Sequence, residues 1–440
     1  MSERRLLWLL SAVQFVNVLD FILVMPLGAD FARDLHIPLS HVGWIGGVYT
    51  GAAAIAGLVS ARFLDRFDRR SALTAALLGL VIATACGGVS TSLNELLAAR
   101  ILAGAFGGPA AALSLSIIAD VVPEERRGRA VGLVMASFSV ASVLGVPAAL
   151  ELSRLMGWRW AFFAVAGMGL AIAGAALLSM PSLKLHLTAR RAAARDAHTR
   201  AAIALIQPQS RVLVAYALAT TITTMLAVFF IIPNLATYIQ ANLHYPRERL
   251  GLLYLVGGIA SFIATRVLGH VTDRFGAGIV ATFGSVMYIS MLTLLFLFEV
   301  GLPVPLFYVM FMCSAAARAV SLGAVNTRVP LPHERASFMS LQSAVQHTAG
   351  AIGSIGAAQL LTELPDGSLH GMDHVAEVTI ALATLLPFLL WRIDRLLPLR
   401  ERALAAAMAT VQKPTQPTRS TSHTEWVGAS EPIAELTSPT

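Results

Sequence analysis

The sequence predicts an all-α integral membrane protein: twelve transmembrane helices in two pseudo-symmetric six-helix bundles. Three observations carry this. The chain of 440 residues is 56% hydrophobic and 13% charged, with a mean hydropathy of +0.70, against about 25% charged residues in soluble domains. Its apolar residues gather into stretches of about 20, the length that crosses a hydrocarbon core of about 30 Å. A charged knot that ends one stretch, ARFLDRFDRR at 61–70, returns as GHVTDRFG at 269–276. Asp65 and Asp273 lie 208 positions apart, as do Arg127 and Arg335, and Gly145 and Gly353; Pro26 and Pro233 lie 207 apart. An apolar repeat of that length implies two similar bundles side by side.

In chain order the spans fall at about 6–28, 42–64, 72–92, 95–119, 128–150 and 159–180, then 210–239, 248–270, 277–299, 303–325, 336–362 and 374–397. The first is too long for a signal-peptide core and carries Gln14, Asn17 and Asp20, so it is expected to remain as a span. The expected divisions are an N-terminal bundle at 1–181, a basic cytoplasmic linker at 182–208, a C-terminal bundle at 209–402 and a disordered cytoplasmic tail at 403–440. The linker, with RRAAARDAHTR at its centre, reads as an amphipathic segment drawn to anionic lipid. The tail, rich in Pro, Thr and Ser, lacks the apolar surface to fold alone.

With the N-terminus inside, 25 Lys and Arg residues fall on cytoplasmic segments and 5, namely Arg33, Arg154, Arg159, Arg247 and Arg249, on external ones. Positive charge favours the cytoplasmic side, so both termini are expected there. This distribution also accounts for the net charge of +7 without nucleic acid. Cys86 and Cys313 lie inside apolar stretches and support neither a disulfide framework nor a metal site. No cofactor is expected. The chain has no H-E-x-x-H, no G-x-S-x-G and no phosphate-binding loop, so it is not expected to be an enzyme.

Polar groups at membrane depth are costly and call for a reason. Asp20 lies about 21 Å into the first span at 1.5 Å per residue, too deep to reach the near surface. Arg100, early in the fourth span, lies at a depth Asp20 can reach. An arginine neighbour favours the charged carboxylate and dehydration the neutral acid, so an alternately opening pocket moves such a group between the two. The pair is therefore either a proton-coupling site or a permanent strut. The repeat-equivalent positions hold Ala227 and Val228, which favours the functional reading.

Arg318, in the tenth span, binds a substrate anion, pairs with a carboxylate or faces water. Gln14, Asn17, Asn234, Gln342, Gln346 and His347 are candidates to hydrogen-bond a cargo; His347 is otherwise a satisfied structural histidine. The loop residues Asp65, Arg66, Arg69, Arg70, Asp273 and Arg274 are candidates for a cytoplasmic gate that binds the positive end of a neighbouring helix, or else are charge anchors. Gly43, Gly47 and Gly51, and Gly350, Gly353 and Gly356, form small-residue stripes that let helices approach closely, for static packing or for sliding.

These motifs resemble the major facilitator superfamily, and within it the drug:proton antiporters and arabinose-efflux-like permeases, over about residues 6–397. LDFILVMP, Leu19 to Pro26, is similar to that group's acid-bearing first span. The loop after the second span resembles G-x-x-x-D-R-x-G-R-[RK], with Ala61 and Asp68 in place of its two glycines; the second copy keeps Gly269 and Gly276. Arg100 and Gly104 match R-x-x-x-G. VASVLGVPAAL, Val140 to Leu150, is similar to the antiporter motif, with Gly145 and Pro147 as its hinge and Val146 splitting them. GWRWAFF, Gly157 to Phe163, opens the sixth span as in those permeases. The resemblance implies a monomer in a bacterial inner membrane, working by alternating access around a central site and exporting a small drug-like or sugar-like molecule against protons. An importer or facilitator is the alternative within transport, and a non-transporting membrane sensor the alternative from another class.

Overall fold

The computed structural model describes residues 1–63, 66–182, 208–330 and 335–411. In chain order its helices are α1 (Glu3–Leu23), α2 (Gly28–Leu35), α3 (Val42–Phe63), α4 (Arg69–Val89), α5 (Leu93–Val121), α6 (Glu124–Met135), α7 (Ser137–Val140), α8 (Val146–Met156), α9 (Trp158–Ser179), α10 (Pro208–Ala241), α11 (Arg247–Phe275), α12 (Ala277–Leu292), α13 (Val304–Arg328), α14 (Arg335–Leu360) and α15 (Met372–Val411). α6, α7, a π-turn at Ala141–Gly145 and α8 together make the fifth span, and a second π-turn, Thr293–Leu297, ends the ninth. A two-residue antiparallel hairpin, β1 (Thr362–Glu363) with β2 (Leu369–His370), joins α14 to α15. The first 397 residues form one compact unit; Pro398–Thr440 is a second, of which the helix to Val411 is described.

The helix ends follow local chemistry. Ser92 accepts from the Glu95 backbone N–H while the Glu95 carboxylate accepts from Thr91 N–H, a reciprocal cap that starts α5. Asp68 caps α4 through the Arg70 N–H. The first span stops at Leu23 rather than near 28, because Pro26 cannot continue the helix; the chain turns and restarts as α2. Its repeat mate Pro233 lies inside the 34-residue α10, so the same residue ends one copy and is absorbed by the other.

Eleven helices among the described residues are long and apolar enough to cross a membrane. The expected eleventh span, α14, has the length, 26 residues or about 39 Å, but carries Gln342, Gln346, His347, Ser354 and Gln359. It packs on α3 and α10. Outward-facing side chains such as Leu178, Ile55, Ile82 and Phe298 are apolar and exposed, as suits a surface facing lipid.

The expected coil after residue 402 needs correction. α15 runs on to Val411, because RERALAAAMATV is rich in strong helix formers and no proline falls between Pro398 and Pro414. Residues 412–440, the linker at 183–207 and Asp65 lie outside the described residues.

Candidate coupling site and inter-bundle closure

Arg100 sits two turns into α5, and a helical side chain leans toward the N-terminal end of its helix. That direction carries its guanidinium onto Asp20 of α1. Arg100 Nη2 donates to Asp20 Oδ1 at 3.0 Å and Oδ2 at 3.2 Å, and Nη1 donates to the Asp20 backbone carbonyl at 3.2 Å. Thr84 Oγ1 of α4 donates to Asp20 Oδ1 at 2.7 Å. The rings of Tyr49 and Phe162 flank the guanidinium, each centroid 5.4 Å from its carbon. Asp20 is 1% exposed and Arg100 fully buried, while Arg100 Nε has no hydrogen-bond partner. Removing one member of such a pair strands the other charge and costs about 3–5 kcal/mol.

Glycines make this approach possible. A methyl group on Gly104 would lie 2.1 Å from the Tyr49 carbonyl oxygen, and one on Gly108 2.8 Å from that of Ala53. The glycine of R-x-x-x-G thus lets α3 cross α5 in backbone contact, one turn from the arginine it presents. One turn further, Tyr49 Oη donates to Asn17 Oδ1, and Asn17 Nδ2 donates to the Gly107 carbonyl. Asn17 is therefore held in structure in this conformation, with both ends of its amide engaged. Thr84, Tyr49 and Phe162 escape a sequence reading because hydroxyl and aromatic residues are common in spans; only the packing of α3, α4 and α9 around Arg100 singles them out.

The other candidates are spread through the interior. Asn234 is fully buried with both side-chain polar atoms unpartnered, and its Oδ1 stands 3.4 Å from the position of a methyl on Gly43. Gln342 is buried with Oε1 unpartnered, Gln14 is buried, His347 half-buried and Gln346 exposed. Arg318 is fully buried on the ring of Tyr288.

The two halves meet at the end remote from the N-terminus. The glycine stripe of α3 packs on α14: a methyl on Gly43 would meet Ser354 O and Ala358, and one on Gly47 would meet Ile355 and Ser354. Gly350, Gly353 and Gly356 face another way, onto Phe229 and Phe230 of α10. Arg247 of α11 grips Asp30 of α2 through Nε at 3.1 Å and Nη2 at 2.8 Å, and Nη2 also donates to Ser153 Oγ. Glu363 of β1 accepts from the Leu39 N–H at 2.7 Å. These hydrogen bonds and this ion pair join the two halves at this end.

At the opposite end Arg69 is buried and donates to Asp120 Oδ2 at 3.0 Å, and Arg70 donates to the Leu177 carbonyl, all within the first half. Arg66, Asp273 and Arg274 are exposed, with Arg274 lying over the Phe275 ring.

The profile of the Major Facilitator Superfamily matches residues 10–354 and, in an overlapping placement, 217–417. The chain belongs to this superfamily. It is 27% identical over 334 residues to the chloramphenicol resistance protein of Streptomyces lividans, covering 76% of this chain and 83% of that one. It is 26% identical over 279 residues to a chloramphenicol efflux pump of Mycobacterium tuberculosis (strain CDC 1551 / Oshkosh), covering 62% and 65%. Its fold matches the crystal structure of a D-xylose-proton symporter with a TM-score of 0.70 at 16% identity, over 88% of this chain and 97% of that one. The chain is thus a multi-pass membrane transporter of the major facilitator fold, and the sensor alternative falls away.

Two departures from the superfamily motifs now have local explanations. Gly276 of the second loop adopts φ +93° between α11 and α12, a conformation that favours glycine. At the matching place in the first loop Asp68 has φ −58° and turns the chain as a side-chain cap instead. In the fifth span Gly145 closes the π-turn and Pro147 follows in the first turn of α8, where a missing N–H costs little. A methyl on Gly145 would stand 2.8 Å from Leu19 of α1, beside Asp20, while Ser142 O and Val143 of the same π-turn touch Gly258 of α11. This irregular segment lies between α1 and the second half.

Proposed function

We propose that the protein is a monomeric, proton-coupled exporter of a small drug-like or sugar-like molecule, working by rocking its two six-span bundles. The observation that carries this reading is the sealed Asp20–Arg100–Thr84 cluster, for which the repeat offers only Ala227 and Val228. A fold that needed an ion pair for stability alone would have reason to keep it in both halves. Asp20 takes up and releases the proton, and Arg100 supplies the competing positive charge. The arginine distribution supports both termini lying in the cytoplasm, which makes the Asp30–Arg247 end external and the conformation externally closed. Asp65, Arg66, Arg69 and Arg70 of the first loop, with Asp273 and Arg274 of the second, act as the cytoplasmic gate, and the π-turn at Gly145 as the hinge. Export is supported by the resistance and efflux proteins among the relatives, and chloramphenicol is the first cargo to test.

The test uses vesicles of purified protein with a pH-sensitive dye, comparing wild type with Asp20→Asn. Proton release on adding chloramphenicol to wild type, lost in the variant, is the expected result. Equal passage through both without a pH response overturns proton coupling. That result would favour a second reading, facilitated passage with Asp20–Arg100 as a fixed strut, which the complete burial of the pair also suits.

A further inference from the structure

Arg318 is the second arginine at membrane depth, and its surroundings are the reverse of those of Arg100. It lies 14 residues into α13, about 21 Å along the helix. Its side chain is fully buried, and Nε, Nη1 and Nη2 all lack hydrogen-bond partners. No carboxylate pairs with it among the described residues. Its guanidinium carbon stands 4.3 Å from the centroid of the Tyr288 ring, a contact that stabilises a cation without neutralising it. A buried, uncompensated guanidinium costs several kcal/mol, so a site that retains one is built for a negative group.

The repeat shows where that group belongs. Tyr288 Oη donates to the Ala227 carbonyl at 3.1 Å, and Ala227 is the repeat mate of Asp20. In the first half an arginine, an aromatic ring and a hydroxyl converge on the carboxylate of the first span. In the second half an aromatic ring that carries an arginine on its face reaches the seventh span, where the carboxylate is replaced by a methyl group. Two further hydroxyls stand at this level. Gly284 abuts the backbone of Arg318, which fixes α12 against α13 here, and the next residue, Ser285, is buried with Oγ unpartnered. Thr224, one turn from Ala227 on α10, is likewise buried with Oγ1 unpartnered.

We propose that Arg318, with Tyr288, Ser285 and Thr224, forms an anion subsite that takes one small monoanionic group, either a carboxylate on the cargo or a free chloride ion. The proposal rests on the transporter reading only in assigning the carboxylate to a cargo. All four residues belong to the second half, so the subsite is carried by one bundle.

The test is a thermal-shift titration of the full chain in detergent. Sodium chloride, sodium acetate and sodium benzoate are each compared with a bulky sulfonate salt of equal ionic strength. A rise in Tm with at least one of these anions in wild type, weakened more than tenfold in midpoint concentration by Arg318→Gln, is expected. A shift with chloride assigns a free-ion site; a shift with acetate or benzoate but not chloride assigns the carboxylate of a cargo. No shift with any anion, or an undiminished shift in Arg318→Gln, overturns the proposal. Should that variant not accumulate, Ala227→Asp supplies the carboxylate internally, and it is expected to raise Tm in the sulfonate salt and abolish the anion response. An anion response that survives in Ala227→Asp also overturns the proposal. Asp20→Asn keeps the response, so failure of proton coupling is read separately.

Discussion

Replacing Asp30 with asparagine should shift the conformational balance of the transporter without touching its interior. The carboxylate accepts from Arg247 Nε on both oxygens and from Nη2 on Oδ2 across the bundle interface, and the Asp30 and Arg247 side chains are 7% and 18% exposed. Arg33 also reaches Asp30, but its side chain is 71% exposed and its contribution small. A partly buried, charge-assisted contact of this kind contributes about 1.5–3 kcal/mol. Because α2 and α11 belong to opposite halves, the contact exists only while this end is closed. Its loss should therefore raise the open-to-closed ratio by about 10- to 150-fold, each 1.4 kcal/mol counting tenfold. Spin labels at Leu155→Cys and Glu248→Cys, exposed positions on α8 and α11, in a Cys86→Ser, Cys313→Ser background, report the separation by electron–electron distance measurement. Asp30→Asn should add or enlarge a longer-distance population, as should Arg247→Gln, and the charge-reversed pair Asp30→Arg with Arg247→Asp should restore part of the short one. An unchanged distance distribution in both single variants would refute the assignment of this ion pair as a closure contact.

Other expected outcomes follow from the packing. Gly104→Ala places a methyl 2.1 Å from a backbone oxygen of α3, so it should destabilise by at least about 1–3 kcal/mol; Gly57→Ala, with nothing within 4 Å, should be neutral or gain up to about 1 kcal/mol in helix propensity, both read by thermal unfolding in detergent. Arg100→Lys keeps the charge but loses the two-pronged grip on Asp20 and the ring contacts with Tyr49 and Phe162, so it should lower Tm and slow proton-linked transport in the vesicle dye assay. Gly276→Ala should cost about 1–2 kcal/mol because of its positive φ, whereas Asp68→Ala in the matching loop should cost about 1 kcal/mol through its lost cap. Asp68→Gly should cost less than Asp68→Ala, again by thermal unfolding, since glycine at a cap loses only a few tenths of a kcal/mol.

The span order and the duplication were legible in the chain because lipid imposes a minimum apolar length on every crossing segment and the repeat preserves landmarks at constant offset. The depth of Asp20 and Arg100 followed from rise per residue alone, which put the two at reachable levels before any contact was known. Where composition and environment part, the sequence was less informative. α14, placed as a span at 336–362, falls short on hydropathy because Gln342 and Ser354 are buried in its packing while Gln346 and Gln359 are exposed, and a hydropathy average weighs both faces alike. The end of the first span and the length of α15 turned on Pro26 and on an alanine-rich run, local signals that the apolar or polar character of the longer stretch masks.

What the sequence by itself determined is therefore the membrane class, the repeat, and the asymmetry between Asp20 and Ala227, since each is a property of residues along one chain. Only the tertiary structure decided which side chains share a site. Thr84 and Tyr49 come to the Asp20–Arg100 pair from helices that nothing local assigns to it, and Asn17 ties Tyr49 to the Gly107 carbonyl. Arg247 meets Asp30 from 217 positions away. Arg318 differs from Arg100 in that no carboxylate among the described residues stands beside it. Pairing depends on helix adjacency and rotation in three dimensions, and spacing along the chain does not encode either.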